Sequence, residues 1–190
     1  MIDSMNKYSK IIAHDEKIPK YLEELMEGWY CLVEAEKLNI RNDPSGINHD
    51  DLCVDATNHF VNADEEIQRM NNKKEFPTMD LEYPRWGLAM AYLMLDKLDL
   101  ASNEIDTAIS QIQSRFSDKS IEYQLETIFW FSLEGGAFFG SEDVRAQFRE
   151  WTIDNFFESV IKLCDEKFSK FVVTEFFNNS GYLEYEKKKS

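Results

Sequence analysis

The densest run of chemistry-bearing side chains in this chain is His49-Asp50-Asp51-x-Cys53-x-Asp55-x3-His59. Imidazole, thiolate and carboxylate all ligate zinc and other transition metals, so one reading is a metal-dependent enzyme. Asp55 and His59 are four residues apart and share one helix face, and they are the pair a metal would use. His49 and Cys53 have the same offset on a different stripe. One helix cannot gather all four groups onto one ion, and the other imidazole and thiols are His14, Cys31 and Cys164. The plainer reading is a helix start with acids in its first turn, a buried Cys53 and an Asp55–His59 surface pair. The plainer reading is preferred, with no cofactor assigned.

Other catalytic signatures are missing. The sequence contains no nucleophile elbow, no phosphate-cradling G-x4-G-K-[ST] loop and no dinucleotide fingerprint. Gly135-Gly136-Ala137-Phe138-Phe139-Gly140 follows no strand pattern and reads as a turn between helices. Glu126 and Glu134 stand beside apolar residues and are expected to pair with Arg145 or Arg149. Arg85 opens a very apolar segment, so it must reach the surface or meet a carboxylate such as Glu82 or Glu126. No residue is assigned a catalytic role.

The elements that must position these groups are helices. Only 4 Pro and 7 Gly punctuate 190 residues, and no useful strand alternation occurs between them. A short helix is expected over about 4–14. Beyond Pro19, Leu22, Leu25, Met26, Trp29, Val33 and Ile40 form one apolar stripe, with Glu23, Glu24, Glu27 and Glu34 opposite. A second stripe runs through Leu52, Ala56, Phe60, Ala63, Ile67 and Met70. The segment 84–95 has almost no polar face, which predicts a central helix covered on several sides. Further helices are expected over about 100–116, 120–133 and from Ser141, the latter breaking near Asp165, with a last one around Phe168–Phe177. The whole reads as one all-α domain of about seven or eight helices over 1–183, with a frayed tail over 184–190.

Charge then selects partners. The chain carries 36 acidic against 21 basic side chains, a formal net charge of −15. The excess is spread evenly, with 16 acids against 9 bases over 1–76 and 20 against 12 over 77–190. No basic stripe exists for a phosphate backbone, and acidic membrane surfaces repel the chain. A basic protein or peptide is the favoured partner, with Glu23, Glu27, Glu34 and the run Asp64-Glu65-Glu66 on wet faces. No apolar run is long enough to span a membrane, the start at Met1 lacks a signal-peptide pattern, and three scattered cysteines read as reduced thiols. A cytoplasmic location is expected, as a monomer or as a homodimer joined through the aromatic C-terminal helices.

One pair of helices carries a repeat pattern. Leu88-Ala89-x-x-Tyr92, then Ala101-x3-Ile105-x2-Ala108, resembles the tetratricopeptide repeat, in which small residues let two antiparallel helices approach and large ones fill the gap. The resemblance covers about 84–115. Leu25-Met26-x-x-Trp29 with Ala56-x3-Phe60-x2-Ala63 forms a degenerate second copy, split by a long loop over 39–49. Arg85 occupies the tryptophan position, with Trp86 one residue on, and Asp96-Lys97 replaces the turn glycine. The resemblance implies an antiparallel helix-hairpin array that binds proteins along one face. Trp86, Met90 and Met94, with Tyr83 and Leu93, then line either a binding groove or plain core, and the Phe-rich C-terminal helices favour core. The concrete functional expectation is an acidic protein-binding module, one form of which is an immunity or antitoxin protein masking a basic toxin. The metal enzyme near Asp55 and His59 and the structural homodimer stand as alternatives.

Overall fold

The computed structural model describes residues 19–41, 48–73, 82–134 and 156–168. They form six helices and no strand: α1 (Lys20–Arg41), α2 (His49–Lys73), α3 (Glu82–Met94), α4 (Leu98–Arg115), α5 (Ile121–Glu134) and α6 (Phe157–Lys167). The helices expected over 4–14 and from Ser141, the last helix beyond Phe168, and the glycine turn at 135–140 lie outside the described residues. The break expected near Asp165 does not occur, because α6 runs through it.

Local chemistry sets the ends. The Pro19 carbonyl accepts from the Leu22 and Glu23 amides, so the proline sits where its missing N–H costs nothing. Asn48 caps α2, its Oδ1 accepting from the Asp50 amide at 3.2 Å. Ser120 caps α5 by accepting from Tyr123 N. The α3–α4 turn is a Schellman closure, with Lys97 N donating to Tyr92 O and Asp96 N to Leu93 O. Asp96 takes φ 56°, a left-handed conformation that glycine adopts more readily than other residues.

Consecutive helices pack as antiparallel neighbours, α1 on α2 and α3 on α4, and α3 also touches α1, α2 and α5. The segment 84–95 is therefore central, as its lack of a polar face predicts. Both small-large-small triplets are buried: Ala56, Phe60 and Ala63 on α2, and Ala101, Ile105 and Ala108 on α4. Phe60 packs edge-on against Trp29, with centroids 5.3 Å apart. Its ring fills space left by two glycines on different helices. A Cβ built on Gly28 of α1 would stand 2.8 Å from Phe60 Cε1, and one on Gly87 of α3 nearer still. Across the core, Trp86 meets Phe156 edge-on at 5.9 Å, which joins α6 to α3.

Polar groups join the hairpins where apolar packing ends. Arg85 donates to Asp64 Oδ2 of α2 and to Glu104 Oε2 of α4, each at 2.8 Å. Its partners are thus Asp64 and Glu104, whereas Glu126 is exposed. Lys167 of α6 bridges Asp106 and Ser110 of α4. Gln124 Nε2 donates to the Phe116 and Lys119 carbonyls and holds the α4–α5 turn closed.

Candidate protein-binding face

The outer side of α1 and its seam with α2 bring together the largest set of sequence-expected residues. Glu23 and Glu27 are exposed, one turn apart, and line an open cleft of about 390 Å³ with Glu24, Met26 and His59. Glu34 lies further along α1, partly covered and ion-paired with Lys37. The cleft is held by a contact between the two helices: Glu24 Oε2 accepts from His59 Nδ1 at 2.8 Å and from Asn62 Nδ2 at 3.3 Å. Burial pushes the Glu24 carboxyl up, but the hydrogen bonds from His59 and Asn62 outweigh it and hold it below the usual carboxylate range.

That contact corrects the Asp55–His59 pair expected from spacing. The α1–α2 seam passes His59, so its imidazole turns to Glu24 while Asp55 stays exposed. No group of three His, Cys, Asp or Glu able to hold a metal occurs among the described residues. His49 instead closes on its own helix, with Nδ1 3.0 Å from Asp50 Oδ1 and Nε2 3.8 Å from Cys53 Sγ. The three thiols are free and buried. Burial raises Cys31 to about 11 and Cys53 and Cys164 to about 12, which suits inert core thiols rather than nucleophiles.

Trp86 and Met90 are core, each 1% exposed, and Met94 is partly covered. In this structure the face of α3 is therefore occupied by its neighbours. The run Asp64-Glu65-Glu66 divides: Glu65 is exposed, Glu66 pairs with Arg69, and Asp64 is buried against Arg85. The expectation that all three are wet fails at Asp64, because each residue turns the helix by roughly 100° and Asp64 lands beside α3. Burial lifts the Asp64 carboxyl above its usual range despite Arg85, whereas Glu104 and Asp64 overcome the desolvation of Arg85 and raise it. The side chain of Glu134, and Arg145 and Arg149, lie outside the described residues.

Sequence reasoning missed the central part of Glu24 and Asn62 in this face. The available signal was their position at the edge of each helix's polar arc, where a side chain meets the neighbouring helix rather than water. Tyr30, also missed, is 44% exposed beside Glu27 and Glu34. Burial first, then Glu34, Cys31 and Glu27, raises its phenol above the usual value.

Comparison of the chain with protein-family models, curated proteins and solved structures gave no match. Its function is therefore argued from this face alone. No helix among the described residues is long and apolar enough to cross a membrane.

Proposed function

We propose that this chain is an acidic helix-hairpin module that binds a basic protein through the outer face of α1 and its seam with α2. The observation that carries the reading is the cleft where Glu23, Glu24 and Glu27 converge beside Met26 and His59. The two helices together hold 11 acidic and 5 basic side chains. Glu23, Glu27, Asp51, Asp55 and Glu65 all face solvent. A net negative field of this kind steers an oppositely charged macromolecule and fixes its orientation.

The packing of α3 on both α1 and α2, with two buried small-large-small triplets, supports a tetratricopeptide-like hairpin array. Burial of Trp86 and Met90 favours α1 over α3 as the proposed binding surface. A protein that masks a basic toxin would use such a face, blocking the toxin's cationic surface sterically and by charge. The test is affinity capture with chemical cross-linking in host cells, using the full chain and its Glu23→Gln/Glu27→Gln variant. The reading expects a basic protein retained at low salt, released at high salt, with cross-links on α1 or α2. Capture of nothing at low salt, or capture that the variant leaves unchanged, would overturn it.

A further inference from the structure

We infer that the element docking on this face is an amphipathic helix of the partner, with an apolar edge and a basic flank. The inference rests on the reading above and adds the partner's shape. On α1, Leu22, Met26 and Tyr30 recur every four residues and form a ridge on the solvent side. Leu22 is 39% and Tyr30 44% exposed, although both are large and apolar. Glu23, Glu27 and Glu34 follow the same helix beside that ridge, so an apolar line and an anionic line run parallel. Met26 belongs to both the ridge and the cleft.

A partner matching two parallel lines needs apolar and cationic side chains on adjacent stripes of one rigid element. Ridges of side chains four apart on one helix fit the grooves of another helix, which gives α1 a natural counterpart. An extended peptide is disfavoured because it brings unpaired backbone amides, and the described residues offer no strand edge to receive them. A helix satisfies its own backbone and can lay Leu or Met along the ridge. One of its Lys or Arg side chains then enters the cleft toward Glu23, Glu24 and Glu27, with the His59 ring forming the far wall. Lys37 pairs with Glu34 at one end and Lys20 acts on Glu24 at the other, so Glu23 and Glu27 are the carboxylates offered to the partner.

The experiment uses the full chain and three synthetic, dye-labelled peptides read by fluorescence anisotropy. One carries a leucine stripe flanked by lysines at helical spacing, the second has the same composition in scrambled order, and the third has glutamate in place of lysine. The striped peptide should bind about tenfold tighter than the scrambled one and gain helical circular dichroism on binding, while the acidic peptide stays free. Glu23→Gln/Glu27→Gln should weaken binding about fivefold at low salt and much less at high salt. Leu22→Ser and Tyr30→Ser should weaken it at both salts, because apolar contact is not screened. Glu23 and Glu27 are exposed, and Leu22 and Tyr30 keep 39% and 44% of their surface in water, so every variant should melt in one cooperative transition close to the parent's.

Equal binding of striped and scrambled peptides, or no binding of either while cellular capture persists, overturns the helix and leaves the basic partner standing. Loss of capture as well overturns both. A homodimer in sedimentation that Tyr30→Ser dissolves would make a second copy the occupant and would also overturn the inference.

Discussion

Asp96 bears a conformational demand that its side chain only partly meets. A left-handed φ places Cβ against the following carbonyl, and aspartate tolerates this better than most L-residues. Asp96→Gly is expected to keep or raise stability, whereas Asp96→Val should lower it by about 1–2 kcal/mol, measured by urea unfolding. Arg85 is the second residue on which much depends, because it bridges the carboxylates of Asp64 and Glu104. Arg85→Met should cost about 3 kcal/mol by leaving the buried Asp64 with Gln68 as a hydrogen-bond donor but no cation, and adding Asp64→Leu should restore part of that loss. The sequence announced that Arg85 needed a carboxylate, since a guanidinium at the head of an apolar helix has few other options. It did not announce which one. Asp64 and Glu104 lie 21 and 19 residues away, and only the stacking of two hairpins brings them to the same point.

At the scale of helices, apolar stripes were legible because helical periodicity follows from spacing alone. The stripes of α1 and α2 supply core residues such as Leu25, Trp29, Phe60 and Ile67. What spacing could not show was how closely the helices approach. Gly28 and Gly87 sit where the Phe60 ring presses against α1 and α3, and the spacing of apolar residues says nothing about either glycine. Gly87→Ala is expected to destabilise the chain by about 2 kcal/mol through overpacking. A Gly87→Ala/Phe60→Leu double variant should cost less than the two single changes added, and a double-mutant cycle from thermal melts checks this. The same limit explains the candidate face. Glu23 and Glu27 could be placed on a wet side from α1 alone, but the pairing of Glu24 with His59 needed the seam between helices.

For the whole molecule, acid titration separates the partly covered carboxylate of Glu24 from the buried one of Asp64. Glu24 has a folded pKa below its unfolded value near 4.5. Its contribution is fully present above that value and is lost as the pH falls through the lower, folded one. The stability gap between the parent chain and Glu24→Gln should therefore close in strong acid. Asp64 has the opposite sign: its folded pKa is raised, so its ionisation costs stability, and that cost disappears as pH drops from the folded value toward 3.8. Glu24→Gln and Asp64→Asn should bend the pH–stability curve in opposite directions, as chemical denaturation across pH would register. Net charge was legible from composition, but its arrangement was not. The same sequence that predicts a broadly acidic surface also hides Asp64 in the interior and leaves neighbouring Glu65 in water.

Phe60 touches two helices at once, one of which carries the ridge proposed for docking. A single benzene ring thus acts as a fulcrum between the outermost rod and the middle one. Any tilt imposed on α1 from outside must be relayed to α3 or resisted by it. The support beneath the proposed binding surface thus depends on two missing methyl groups.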